Sequence, residues 1–370
     1  MNNLYGNDKR VILTLDAGGT NFVFSAIKGN REIVSPIRKP SNANNLDSCL
    51  DTVVAGFEEV KGKISEPVAG ISFAFPGPAD YKNGIIGDLP NFPAFKGGVP
   101  LGPLLEDHFR IPVYINNDGN LFAYGEALAG FLPWLNGQLK MASNTKQFRN
   151  LVGFTLGTGF GSGIVLGENM VLGHSTSGAE IHNTLNPFNS EWNAEETVST
   201  RAIQRVYAEQ NASPFTDSLM PGDIYKIAKG EREGNSEAAM ESFRAYGKSL
   251  GGSIANTLSF FDGIVVLGGG ITAAWDLFSP AMFEEINRPY VNFHGLPSPR
   301  LSYGVCNFED PGSLREFASL KGKELEIRGS GRTVSYDADP RTGVGRSRMG
   351  ASTAIALGAY AFALQQLDAV

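Results

Sequence analysis

Apolar residues recur along this chain with two periods, and the points where the period changes outline an α/β order. Residues 11–27, VILTLDAGGTNFVFSAI, and residues 151–166, LVGFTLGTGFGSGIVL, each place β-rich apolar stretches on both sides of a Gly/Thr turn, which predicts two hairpins with turns about 140 residues apart. Shorter apolar runs at 70–75, closed by Pro76-Gly77-Pro78, at 113–115 and at 263–267 predict further strands. The second of these leads into a helix beginning near Asn120 and covering 121–130, and the third into a helix from about Thr272. Ala202, Ile203, Val206 and Tyr207 recur at helical spacing, a longer helix is expected over 236–260, and ASTAIALGAYAFALQQL reads as a buried closing helix. Residues 289–348 are polar, rich in Gly, Pro and Arg and weakly periodic, so they read as an elaborated insertion with no structure assigned. Strands alternating with helices define an α/β fold, and the repeated hairpin points to two duplicated domains.

Composition sharpens this outline by exclusion. With 370 residues, 42% hydrophobic and 19% charged, the chain is a soluble globular protein of about two domains. It has no apolar run long enough to span a membrane and opens without the layout of a secretion signal, so the expected location is cytoplasmic. The two cysteines, Cys49 and Cys306, lie far apart with no CxxC pair, which argues against a disulfide framework or a thiolate zinc site. A net charge of -7 gives no pull toward nucleic acid or anionic lipid, and a small-molecule ligand is expected. The sequon at Asn211 is idle in a cytoplasmic protein.

Three glycine segments and one Asn/Asp segment carry the candidate chemistry. In Asp16-Ala17-Gly18-Gly19-Thr20-Asn21, residues without Cβ let backbone N–H groups approach a phosphate, Thr20 adds a hydroxyl, and Asp16 suits a hydrated metal ion. Gly157-Thr158-Gly159-Phe160-Gly161-Ser162-Gly163 is a second flexible turn, with two hydroxyls, and Gly268-Gly269-Gly270 would admit a nucleoside at a strand-to-helix junction. Each, taken alone, is equally a plain turn. Together, two such turns suit a nucleotide gripped from two domains. The chain contains no GxxxxGK[ST], no GxGxxG and no HRD or DFG set. Asn116-Asn117-Asp118-Gly119-Asn120 follows a strand and precedes a helix. These are ordinary capping residues, yet a carboxylate beside a triphosphate is also what a hydroxyl nucleophile requires.

LDAGGTN, PGP followed by LPNFP, NNDGN-x4-GE, TLGTGFGSGIV and VVLGGGI, in this order over most of the chain, resemble the ROK family (repressors, open reading frames, kinases) of the actin-like sugar kinases. The resemblance implies two actin-like (ribonuclease H-like) α/β domains with a nucleotide and sugar cleft between them. The smaller would take residues 1–120 with the closing helix at about 351–370, and the larger 121–350 with its insertion at 289–348. It implies ATP with Mg2+ as cosubstrate, held by Asp16, Gly18, Gly19, Thr20, Asn21, Gly157, Thr158, Gly159, Gly161, Gly268, Gly269 and Gly270. Asp118 would be the base toward a sugar hydroxyl, usually the 6-hydroxyl of a hexose or N-acetylhexosamine. Asn91, Asn117, Glu180, His182 and Glu195 would bind the sugar, and a homodimer is expected.

One segment departs from the family pattern. The family's GE-x-GH followed by the zinc motif CxCGxxGCxE is replaced by SGAEIHNTLNPFNSEWNAEETVS, so structural zinc is not expected. Either His182 or Asn183 takes the place of the family's histidine, and Glu196 is an alternative to Glu195. Two other readings compete with the kinase. A sugar-sensing regulator would need a helix-turn-helix, and only ten residues precede the first expected strand. The run with Arg328, Arg332, Arg341, Arg346 and Arg348 also contains Asp337 and Asp339, which makes it a poor nucleic-acid patch. A sugar-binding protein without activity is the other, set against the intact turns and Asp118.

Overall fold

The computed structural model describes residues 4–77, 79–89, 92–319 and 322–369. The chain forms two compact units, one made of Met1–Pro133, Ser162–Ala179 and Ser347–Val370 and the other of Trp134–Gly161 and Glu180–Arg346.

The sheet of the first unit runs in the order Arg31–Glu32, Asn21–Lys28, Val11–Ala17, Val68–Ala74, Val113–Asn116, with Ile37–Pro40 also pairing on Asn21–Lys28. Val11–Ala17 is antiparallel to Asn21–Lys28 and parallel to Val68–Ala74, which is in turn parallel to Val113–Asn116. The first strand is buried on both faces, as a central strand of a covered sheet must be. Val11, Leu13 and Leu15 enter a core with Phe22, Phe24, Phe57, Phe73, Phe75, Phe92 and Phe95. Ile12, one residue out of phase, turns to the opposite face and meets Leu357, Tyr360 and Leu364 of the closing helix Ala351–Asp368. On that face Ala351–Asp368 crosses the helix Asp118–Leu128 at backbone distance. A Cβ on Gly125 would meet the Ala354 carbonyl, and one on Gly358 the Leu121 carbonyl, so both positions admit only glycine without displacement of main chain.

A second sheet runs Asn169–Met170, Phe160–Leu166, Leu151–Leu156, Ile264–Gly268, Arg341–Arg346, Gly304–Asn307. Ile264–Gly268 is parallel to Leu151–Leu156 and to Arg341–Arg346. Both sheets therefore follow a hairpin with parallel strands added beside its first strand. The long helix Ser236–Leu258 packs on Trp275–Ile286, with Gly247 and Gly251 letting it approach the carbonyls of Phe278 and Met282.

The expected strands and helices are found with shifted ends. The helix expected from Asn120 begins at Asp118, and the segment after Gly269 is a 3-10 turn, Gly270–Ala274, before the helix proper. The stretch 289–348 is not uniformly irregular. It supplies the strands Gly304–Asn307 and Arg341–Arg346 of the main sheet, the helix Pro311–Ser319, and two hairpins, Tyr290–Val291 with Pro297–Ser298 and Lys323–Glu326 with Thr333–Tyr336. Among the described residues no helix is long and apolar enough to cross a membrane.

Candidate active site

In the first unit, strand register brings the singled-out residues to one sheet edge. Asp16 pairs with Ala74 and Ala74 with Asn116, so the Asp16 turn and the Asn116-Asn117-Asp118 segment leave the sheet at the same carboxyl end, about 10 Å apart at two strand spacings. Open α/β sheets bind ligands at this edge. The first turn is closed by Gly18 N–H donating to the Asn21 carbonyl at 3.1 Å, and Ser41 fixes its far side, its N–H donating to the Thr20 carbonyl and its hydroxyl to the Gly19 carbonyl. Asp16, Gly19 and Thr20 stay exposed.

Asp118 is the first residue of its helix. Asn117 caps it, its Oδ1 accepting from the N–H groups of Gly119 at 2.7 Å and Asn120 at 3.3 Å. That leaves the Asn117 amide nitrogen as its remaining polar group. Asn116, buried, accepts from the Asn117 N–H and from Asn120 Nδ2. Asp118 itself is exposed and accepts from the Gly119 N–H at 2.8 Å. The helix start is held by close backbone packing. A Cβ on Gly119 would lie 2.5 Å from the Ser162 carbonyl oxygen, and one on Gly163 would run into Gly119 and Asn120. An exposed carboxylate thus stands on a buried, rigid base.

The second unit repeats the edge arrangement. Gly268 pairs with Thr155, so the Gly157–Gly161 turn and Gly269-Gly270 leave their strands side by side. Thr200 donates to the Gly157 carbonyl through both its N–H and its hydroxyl. The glycines here do two different things. A Cβ on Gly157 or Gly270 would meet nothing within 4 Å, leaving bare backbone for a ligand, whereas one on Gly159 would lie 2.7 Å from Glu195 Oε2 and one on Gly269, at φ +95°, would strike the Leu156 carbonyl.

Glu195 is bound to that turn, its Oε2 accepting from the Phe160 N–H at 3.0 Å while Arg201 Nη2 donates to its Oε1 at 3.1 Å. Arg201 also holds Glu196 at 2.6 Å and keeps that carboxyl below its usual pKa. Glu180 Oε2 lies 3.0 Å from His182 Nδ1, and this partner raises the imidazole pKa above 6.5. Asn183 is exposed in the same short turn, and Asn91 lies outside the described residues. Arg201, which orders two candidate carboxylates, gave no sequence signal as a site residue, and Gly119 and Gly163, though inside the singled-out segments, gave no sign of their packing role.

Fold and edge placement define the class as an actin-like ATPase fold. A family model described as the ROK family matches residues 12–299, and the chain belongs to that family. The solved glucokinase of Parabacteroides distasonis ATCC 8503 is 46% identical, with a TM-score of 0.87 over 98% of this chain and 99% of that one. Among curated relatives, the glucokinase of Thermotoga maritima is 26% identical over 308 residues, covering 78% of this chain and 90% of that protein. The N-acetyl-D-glucosamine kinase of Photobacterium profundum is 27% identical over 277 residues, covering 70% and 83%.

Proposed function

We propose that this sugar kinase moves the γ-phosphoryl group of ATP to the 6-hydroxyl of a hexose or N-acetylhexosamine, with Asp118 removing the hydroxyl proton. The observation that carries the reading is an exposed carboxylate on a buried helix start, sharing a sheet edge with the Asp16 turn. Relatives named glucokinase and N-acetyl-D-glucosamine kinase support the substrate class.

The residues fit a nucleotide: Gly157 and Gly270 present backbone with no side chain nearby. Among the described residues no group of three or more His, Cys, Asp or Glu could cage a metal, so Mg2+ would come with the triphosphate and Asp16 would reach it through water. Bound there, Mg-ATP supplies the transferable phosphoryl group and screens its charge. The chain's part is positioning and proton removal. Within the first unit the Asn117 amide nitrogen, beside Asp118, is a donor for a sugar oxygen; within the second, Glu180, His182 and the lone pairs of Glu195 not used by Phe160 and Arg201 are partners for sugar hydroxyls. Asp118 takes the proton from the attacking hydroxyl as the new O–P bond forms and the bond from the γ-phosphorus to the β–γ bridging oxygen breaks, leaving ADP.

An ATP-coupled assay over hexoses, N-acetylhexosamines and ketoses tests the reading and names the sugar. Product carrying phosphate at another hydroxyl overturns the 6-position, and turnover of none of them overturns the reaction.

A further inference from the structure

The family's zinc motif does not fit this chain. No cysteine lies between Glu180 and Glu195, Cys49 and Cys306 belong to the helix Leu46–Gly62 and the strand Gly304–Asn307, and the described residues contain no metal-holding cluster. The loop of residues 184–198 is nevertheless built to a fixed course, and it turns on one side chain. Asn186 is 2% exposed. Its Nδ2 donates to the Asn193 carbonyl at 3.0 Å and to Thr197 Oγ1 at 2.7 Å, while its Oδ1 accepts from the N–H groups of Phe188 at 2.9 Å and Asn189 at 3.2 Å. A carboxamide has two donor hydrogens and two acceptor lone pairs, and all four are engaged. Its backbone N–H donates to the Trp192 carbonyl as well. Four links from one point to both limbs of a loop are what a tetrahedral metal would otherwise provide.

The links continue to the candidate sugar carboxylate. Asn193 Oδ1 accepts from the Glu196 N–H at 3.2 Å, and Thr197 Oγ1 donates to the Ala194 carbonyl at 3.3 Å, so the turn Ala194–Glu196 is suspended from residues that Asn186 holds. We infer that Asn186 is a positioning residue that does here what zinc does in the family pattern, fixing the turn Ala194–Glu196 and so aiming Glu195. This rests on the proposed role of Glu195 toward the sugar. Aspartate is not an equivalent at this position: it keeps the two acceptor contacts but sets an anionic oxygen against the Asn193 carbonyl.

The test compares wild type, Asn186→Asp and Thr197→Val by amide hydrogen exchange and by steady-state kinetics. In wild type, the Phe188, Asn189 and Glu196 amides should be protected, with protection and activity indifferent to a zinc chelator. In Asn186→Asp their exchange should accelerate about ten-fold or more, as expected when a buried polar pair is broken, while the strands Leu151–Leu156 and Ile264–Gly268 keep their protection. The sugar KM should rise about ten-fold, more than the ATP KM, and Thr197→Val should move it in the same direction by less. Unchanged loop exchange in Asn186→Asp, stoichiometric zinc whose removal loosens the wild-type loop, or equal rises in both KM values would each overturn the inference. A wild type active on no sugar would sink the proposed reaction and leave the exchange comparison to decide the loop.

Discussion

Asp118 opens an α-helix and Glu195 lies in a 3-10 turn, and the surroundings of these two carboxylates are made of different materials. Around Asp118 main chain rests on main chain, with Gly119 against Ser162 and Gly163 against Gly119. Around Glu195 the backbone is irregular and its course is written in side-chain hydrogen bonds from Asn186, Asn193, Thr197 and Arg201. Backbone packing fixes a position to within fractions of an ångström and tolerates no added atom. A polar loop can be adjusted bond by bond, which suits the part of a site that must match a particular ligand.

The largest effect that would break this comparison is chemical. Asp118→Asn should lower kcat by about a thousand-fold, within the range of lost general-base catalysis, with circular dichroism and ATP binding unchanged. Turnover near that of wild type would remove Asp118 from the mechanism. Next comes the packing beneath it. Gly119→Ala should lower stability by about 1–3 kcal/mol and kcat together, because the new Cβ must displace the Ser162 main chain. Gly157→Ala, with open space around its Cβ, should leave thermal stability nearly unchanged while raising the ATP KM, and a matching loss of stability would show that this turn is structural. Smaller still, Arg201→Ala should raise the sugar KM only a few-fold, since an exposed ion pair contributes less than about 1 kcal/mol.

The smallest effect is a pH dependence. Glu180 raises the His182 pKa in the folded chain, so the stabilisation from this pair is complete below the ordinary value of 6.5 and is lost as pH rises through the raised one. The Tm difference between wild type and His182→Gln should therefore be larger below pH 6.5 than at pH values above the raised pKa. A difference that does not vary with pH would mean that neutral imidazole makes the contact.

Legibility in the sequence followed the same division. The hairpins at Asp16 and Gly157 and the strand before Asn116 announce themselves through period-two apolar stretches and glycine turns, because their form is local. The start of the Asp118 helix was displaced by two residues, since Asn117 and Asn120 are equally good caps and Asn117 accepts the two orphan N–H groups. The strands Gly304–Asn307 and Arg341–Arg346 escaped notice because GVCN and RTGVGR carry little apolar signal and gain their place by pairing with each other, Arg341–Arg346 pairing in turn with Ile264–Gly268. Asn186 was invisible for a further reason: an asparagine in a polar loop looks the same in sequence whether it is solvated or holds four hydrogen bonds.

The crossing of Ala351–Asp368 over Asp118–Leu128 has a consequence for how the protein comes into being. A ribosome that has released Asp118 must add more than 200 further residues before the partner of that helix emerges, and until then Leu121, Gly125 and one face of Val11–Ala17 have nothing to close on. The nascent chain thus carries Asp118 long before the helix that bears it has its packing partner. Sequence-distant closures of this kind are slow and leave apolar surface open in the meantime.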